Sequence, residues 1–384
     1  MPTLDSGEPI LSLDWRTVIT GPEWAAQMLA TDRLCDTRVE VINSSGVHVQ
    51  DITPDAAAVS FDAASTARFR GDLEMVDEYP VDSTDLLHPL SGNQVRIWWQ
   101  EWVPALGGWV EVPMMTGRPE DPSLEKSPAL TWTLTLFDTI AEVLRGGYGG
   151  QSIDVSGMTT GDALSALVGL IAPGAEVDIP SGGATLPANY MLGSNKPSDD
   201  QAAIGKPAGW ALCSDRLGVV TVDQGDLPTV AVADWAEGDG CRVTKLGRDV
   251  KTSEITNAVL VKTSSTEIVP PLVAIVQDDD PASPTFVGVY GPYWFEDTTD
   301  AATDQAGVDA VAQSLYSAKR FPIDSVKVDC PARPDMFARS LVLLGSPDAG
   351  VSGGYRVQAW RIQCPKGGEA PQQMSVTMAD KQVM

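Results

Sequence analysis

Carboxylates are the most abundant reactive groups in this 384-residue chain, with 52 Asp and Glu against 26 Lys and Arg. Closely spaced oxygen donors are what Ca²⁺ and Mg²⁺ select, and Asp278-Asp279-Asp280 is a run of that kind. It lacks the alternating spacing and the distal Glu of an EF-hand loop, so the simpler reading is a solvated loop and no metal is expected. Paired carboxylates also hydrolyse glycosides, but so many acids always supply pairs, and nothing in their spacing selects one. Asp199-Asp200 sit inside Ser198-Asp199-Asp200-Gln201, which has the S-x-x-Q form of a helix capping box with acids in its first turn.

Nucleophilic chemistry has little to work with. His48 and His88 are the two histidines, each beside loop or strand-edge signals. No H-E-x-x-H occurs, which removes zincin chemistry, and no Walker loop or dinucleotide fingerprint is present. Gly350-Val351-Ser352-Gly353-Gly354 departs from G-x-S-x-G and lacks the strand-to-helix setting that strains a nucleophile, so it reads as a flexible turn. Cys35, Cys213, Cys241, Cys330 and Cys364 are dispersed without a CxxC pair. That pattern fits reduced thiols packed as small apolar groups in a reducing compartment. The expectation is a protein that is not an enzyme, with no catalytic residue and no cofactor.

Aromatic residues are the other candidates. Trp98, Trp99, Trp102 and Trp109 fall within twelve positions. Adjacent Trp98 and Trp99 on a strand point to opposite faces, so one enters the core and the other meets solvent or a partner. Tyr293-Trp294-Phe295 is an aromatic triple in polar surroundings. Aromatic side chains are enriched in core, at protein interfaces and on sugar-binding surfaces. Trp99, Trp102, Trp294 and Phe295 are the candidate interface residues.

The elements that hold these groups are mainly strands. Thr37–Ile42 alternates, Asn43–Gly46 turns, and Val47–Val49 resumes, a hairpin pattern. Further strands are expected at Ala58–Phe61, Phe69–Met75, Val95–Trp99, Trp109–Met115 and Leu130–Leu136, followed by a short helix opened by Asp138 and closed by Gly146-Gly147. From residue 148 the pattern turns mixed. A helix is capped by Thr160 and carries Leu164, Leu167, Val168 and Ile171, and a hairpin joins Trp210–Cys213 to Val219–Val222. A strand at Glu254–Val261 opens a third region, interrupted by an insertion with a helix over Ala302–Lys319. Strands resume at Ser325–Asp329, Ser340–Leu344, Tyr355–Gln363 and Met374–Met378. The domain reading is 1–147 and 241–265 plus 323–384 as two β-rich domains, 148–240 as a small α+β domain and 266–322 as a helix-containing insertion.

Composition bounds the function. Gly and Pro number 35 and 28, above average usage, which favours a turn-rich, mainly β protein. A net charge of −26 opposes nucleic-acid capture, which needs clustered cations, and opposes adhesion to anionic membranes. No apolar run reaches the length of a membrane span, and residues 1–5 have no signal-peptide character.

The ordered set Thr256-Asn257-Ala258-Val259, Asp279–Thr285 leading to Gly291-Pro292, the acid-rimmed helix, Pro331 and Pro334 at strand ends and the closing Gly354-Tyr355-Arg356-Val357 resembles the tail-tip (baseplate) hub proteins of tailed bacteriophages, the minor tail proteins of siphophages. The resemblance implies two tail-tube-like β-barrel domains interrupted by a small mixed domain and an insertion. It implies a homotrimer whose six barrels match a sixfold distal tail ring to a threefold central fibre or plug, enclosing a passage for genome and tape-measure protein at the virion tail tip, after assembly in the host cytoplasm. An acid-lined passage would repel phosphate, so genome slides without sticking. The alternatives are a receptor- or cell-wall-carbohydrate-binding tail module using the same tryptophans, and a tail-associated hydrolase using an unidentified acid pair.

Overall fold

The computed structural model describes residues 10–382 apart from 12–13, 77–84, 127–128, 194, 226–227, 237–241, 251–255, 265–269, 284, 300–301, 303, 320–323, 369 and 372. Among the described residues strand accounts for 44% and helix for 18%, so the fold is mainly β. Two short helices, α1 (Trp15–Val18) and α2 (Pro22–Met28), precede seven strands: β1 (Cys35–Ile42), β2 (His48–Ile52), β3 (Ala56–Asp62), β4 (Phe69–Val76), β5 (Gln94–Val103), β6 (Gly108–Lys126) and β7 (Leu130–Asp138). Period-two patterning sets their inward faces: Val95, Ile97 and Trp99 of β5 and Leu136 of β7 have no exposed surface. The β1–β2 turn is held by Asn43, whose Oδ1 accepts from the Ser45 and Val47 amides, with Gly46 at φ +74°.

Asp138 ends β7 and caps α3 (Thr139–Arg145), accepting from the Ala141 amide at 3.3 Å and the Phe69 amide at 3.0 Å. The mixed module follows as β8 (Ile153–Asp154), α4 (Thr160–Ile171), β9 (Met191–Leu192), α5 (Pro197–Gly205), β10 (Ala211–Ser214) and β11 (Val220–Asp223). Its core gathers Leu164, Leu167 and Val168 of α4 with Ile140, Ile204 and Val220. The cap of α4 is Thr159, one residue before Thr160. The capping-box reading of Ser198 is corrected. α5 starts at Pro197 without a side-chain cap, and Asp200 is instead buried, accepting from Tyr148 Oη at 2.6 Å, Asn195 Nδ2 at 3.0 Å and the Gly193 amide at 3.1 Å.

Strands β12 (Ala231–Ala236) and β13 (Lys245–Val250) lead to the insertion, where β14 (Ala258–Thr263), β15 (Val273–Gln277), α6 (Val287–Tyr290), β16 (Trp294–Thr299) and α7 (Gln305–Lys319) form a three-stranded sheet, order β15-β14-β16, with α7 on one face. Val259, Val261 and Ala274 pack there on Val308, Val311 and Ala312. The chain closes with β17 (Asp324–Pro331), β18 (Leu341–Ser346), β19 (Val351–Cys364) and β20 (Gln373–Gln382). β19 absorbs Val351-Ser352-Gly353-Gly354, so the segment read as a turn is strand from Val351 onward.

The two β regions join. β3 pairs antiparallel with β19, placing Phe61 opposite Trp360 and Ser60 opposite Arg361. The result is a thirteen-stranded sheet, order β13-β17-β20-β19-β3-β4-β7-β6-β5-β1-β2, with β18 and β12 branching from β19. One apolar core runs under it from Trp24 to Met378, with Phe61, Phe69 and Trp360 clustered at the junction, their ring centroids 5.1–6.3 Å apart. Among the described residues no strand path closes on itself, so the expected barrels are seen as parts of a continuous, open sheet.

Residues 332–336 and 340 are buried although they lie outside any strand. Irregular backbone in a core needs donors for its carbonyls, and guanidinium groups supply them. Arg33 gives Nη1 to Ala332 O at 2.7 Å while its other nitrogens clamp Glu101 at 2.7 and 2.8 Å. Arg216, from the β10–β11 turn, donates to the Pro334 and Met336 carbonyls and lies 4.2 Å from the Phe337 ring centroid. Arg356 donates to Arg339 O at 3.2 Å. Burial pulls the Arg216 pKa down to about 9, with Asp335 opposing, so it remains cationic at neutral pH.

Arg216→Met keeps the apolar stem and removes the donors. It is expected to cost about 3 kcal/mol by urea denaturation, with Arg216→Lys recovering less than half, because two buried carbonyls lose their partners. Asp138 supplies a pH test. Burial pushes its carboxyl up to about 6 against the backbone donors. A native pKa above the unfolded value gives stability that is complete below pH ~4 and is lost as pH rises through ~6. Asp138→Asn preserves the cap and removes the titration. Between about pH 4.5 and 7.5 the parent should therefore lose on the order of 2 kcal/mol more than the variant.

Candidate assembly surfaces

The aromatic candidates separate by depth. Trp99 has no exposed surface, and its indole N–H donates to Glu101 Oε2 at 2.9 Å. Glu101 is equally buried and also takes Arg33, Gln27 Nε2 at 3.1 Å and Cys35 Sγ at 3.1 Å. Trp99 is thus corrected from interface candidate to core anchor, since a side chain without accessible surface presents nothing to a second chain. Trp102 is half-buried and packs edge-on to buried Trp109 at 5.9 Å. Trp98 does face the other side, as strand alternation requires. It lies between Arg38 and Arg96, 5.2 and 5.7 Å from its ring centroid, with its N–H on Glu40 Oε1 at 2.8 Å.

The insertion carries the exposed rings. Asn257 is fully buried and organises them. Its Nδ2 donates to the Thr285 and Gly291 carbonyls at 2.8 and 3.0 Å, and its Oδ1 accepts the Tyr293 amide at 2.7 Å. This fixes the approach to β16, where Tyr293 and Trp294 are about half exposed while Phe295 turns inward against the insertion core. Tyr290 and Val289 of α6 are exposed nearby, as are Val273 and Ile275 of β15. Of the four candidates, Trp294 alone is exposed.

The acid run in the same insertion is not a solvated loop throughout. Asp278 is buried and accepts from the Ser283 and Thr285 hydroxyls. Asp279 takes Gln277 Nε2 at 2.8 Å, and Asp280 takes the Ala282 amide at 2.9 Å. Each carboxylate serves a separate local turn. Among the described residues, Glu40, His48 and Asp51 do bring three ligand atoms within 4.8 Å of one another. Their carboxylates are already matched, Glu40 by Trp98 and by Arg38 at 2.8 Å, Asp51 by Arg38 at 3.5 Å. A groove of about 490 Å³ at the β3–β19 junction is lined by Arg68, Arg70, Arg361, Phe61 and Trp360. Its cations are ion-paired too: Arg68 with Asp223 at 2.8 Å, Arg70 and Arg361 with Asp72 at 3.3 and 3.1 Å. His88 serves locally, its Nδ1 accepting the Leu90 amide at 3.1 Å. Cys35, Cys213, Cys330 and Cys364 are buried free thiols, whereas Cys241 lies outside the described residues. Burial raises the pKa of all four.

What the large sheet does present, among the described residues, is a polar face and a strand order that ends in β2 and β13. The row Lys245–Asp329–Ser375–Arg361–Ser60–Arg70 crosses six strands with alternating charge and hydroxyls. β2 and β13 terminate the strand order. β13 was not anticipated from sequence, because Lys245–Val250 shows no clean alternation.

No family model matches the sequence, and no curated protein matches it. Solved structures do match. A tail protein from Neisseria meningitidis superposes with TM-score 0.63 at 14% identity, over 90% of this chain and 96% of that one. A 43 kDa prophage tail protein from Shewanella oneidensis gives 0.58 at 11%, over 90% and 98%. The chain has the fold of phage tail proteins. A prophage tail protein from Listeria monocytogenes gives 0.54 at 9%, over 90% and 95%. The match extends over about nine-tenths of this chain in each case.

Depth predicts the response to truncation. Trp99→Ala should cost about 3–5 kcal/mol in chemical denaturation, because it empties a core site and removes one donor from buried Glu101. Trp294→Ala should change stability by less than about 1 kcal/mol.

Proposed function

We propose that the chain is a structural protein of a phage tail: a homotrimeric hub at the tip that joins a sixfold distal tail ring to a threefold central fibre or plug and surrounds a passage for genome and tape-measure protein. The observation that carries this reading is the thirteen-stranded sheet, continuous across both β regions and ended by two unlike strands. Unlike ends associate head to tail, and such contacts close into rings when the rotation allows. Two β regions per chain let three copies furnish six units. The extent of the fold match, covering nearly all of each tail protein, supports the same reading.

The protein performs no chemistry in this role. Its excess of acids opposes retention of nucleic acid. The acid excess is uneven. Residues 1–147 hold 23 acids and 9 bases, residues 148–240 hold 12 and 3, and the insertion counted from β14, 258–322, holds 9 and 3. The remaining β region, 241–257 with 323–384, holds 8 acids and 11 bases.

A second reading rests on the exposed Tyr290, Tyr293 and Trp294, a platform on which sugar rings of a host cell wall could stack. The two separate in one experiment. Purified chain measured by mass photometry and negative-stain imaging should show three times the monomer mass and a threefold outline with a central opening. It should not retard duplex DNA at moderate salt. A monomer that pulls down with cell-wall glycan, and loses it on Trp294→Ala, would replace the hub with the receptor-binding reading. Clearing of peptidoglycan by the pure protein would restore the hydrolase.

A further inference from the structure

The insertion sheet is sheltered on one side. Val259, Val261 and Ala274 pack against α7. Strand alternation turns the intervening residues to the opposite face. Pairing in register lines them up there: Ile275, Leu260 and Glu296 make one row, and Val273, Lys262 and Thr298 the next. Gln277, Ala258 and Trp294 make the third. On this face Ile275 is 56% exposed, Val273 43% and Trp294 45%. The sequence is written for more cover than that. Residues 258–261 and 273–276 are unbroken apolar runs, the pattern of strands buried on both faces. β14 and β16 also pair in parallel, an arrangement ordinarily covered on both sides.

Acids and rings border the apolar rows. Glu296 sits within them, and Asp279 and Asp280 follow Gln277 at the end of β15. Asp279 and Asp280 accept from neutral donors, Gln277 Nε2 and the Ala282 amide, and among the described residues none of the three acids has an ion-pair partner. Lys262 is the single base of the three rows. Tyr293, half-exposed beside Trp294, adds a second ring. Ring faces attract ammonium and guanidinium groups, as carboxylates do. We infer that this face is the docking site of a basic amphipathic helix from another protein. Its apolar stripe covers Val273, Leu260 and Ile275, and its lysines or arginines meet Glu296, Asp279 and Trp294. The helix lies on the sheet as α7 does on the other side, completing a three-layer unit. Charge complementarity selects it, because the insertion from residue 258 to 322 holds 9 acids and 3 bases. Sugar is the poorer occupant of the same face, since Val273, Leu260 and Ile275 offer hydroxyl groups no hydrogen bond. The inference concerns the insertion alone and does not depend on how many copies assemble.

The probe is a fluorescein-labelled, capped helical peptide of leucine and lysine, its leucines spaced i, i+3, i+4, added to the full chain. Fluorescence anisotropy at physiological salt is expected to show saturable binding. The same peptide with glutamate for lysine should bind about tenfold more weakly, and Ile275→Ser combined with Trp294→Ala should weaken the lysine peptide by about tenfold. Both positions are exposed, so circular dichroism and melting should match the parent. Glu296→Lys should shift the preference towards the glutamate peptide, a gain that a folding defect does not produce. Absence of saturable binding overturns the site. Binding that ignores all three substitutions overturns it too, because it then reports only attraction to a chain of net charge −26. Chitohexaose that binds by calorimetry and is lost on Trp294→Ala, with the peptide inert, overturns it in favour of the glycan reading. A trimer that does not take up the peptide leaves the hub reading standing, whereas a monomer that takes it up keeps this site and removes the hub.

Discussion

A buried stretch of irregular backbone sets the terms for the rest of the molecule. Between β17 and β18 the chain leaves the sheet but not the core, so the carbonyls of Ala332, Pro334, Met336 and Arg339 lose the ladder that would pair them. Proline at 334 gives no amide in return. Arg33, Arg216 and Arg356 replace the missing donors, and they come from the first β region, the mixed module and β19. A guanidinium brings five donors in a rigid fork, which suits one side chain to several carbonyls. Satisfying one loop therefore ties three distant parts of the chain to it.

The same need explains why a chain with so few cations keeps several out of water. Arg33 is held by the carboxylate of Glu101, which also orients Trp99 and Cys35. Arg216 lies between Phe337 and Trp360 with carbonyl partners rather than a bound acid. Packing on ring faces and carbonyl dipoles offsets part of the desolvation.

Much of the fold was legible where local pattern and burial agree. The β1–β2 hairpin, β7, α4 and the β10–β11 hairpin all follow from alternation or from i, i+3, i+4 spacing that the structure buries as expected. What local pattern does not carry is pairing across 300 residues. Nothing in Ala58–Phe61 announces β19, so the joining of the two β regions into one sheet is not legible locally. The tryptophan cluster misled in the same way: Trp99 and Trp102 are equivalent in composition and differ in what lies above them. Asp200 and Asp278 look like surface acids in sequence, yet both are buried acceptors because each meets hydroxyl or amide donors supplied by other loops. The exposed edge β13 was missed because Gly247 interrupts its alternation and its outward residues have no core to betray them.

The β3–β19 junction also has a meaning for synthesis. Ser60 leaves the ribosome long before Arg361, its partner across the sheet, exists. Until the last strands emerge, β3 is bare on one side and its small apolar residues Ala57, Ala58 and Val59 lack neighbours there. The amino-terminal half therefore waits, unsealed, for the carboxyl-terminal sixty residues, and pairings this distant in sequence form slowly.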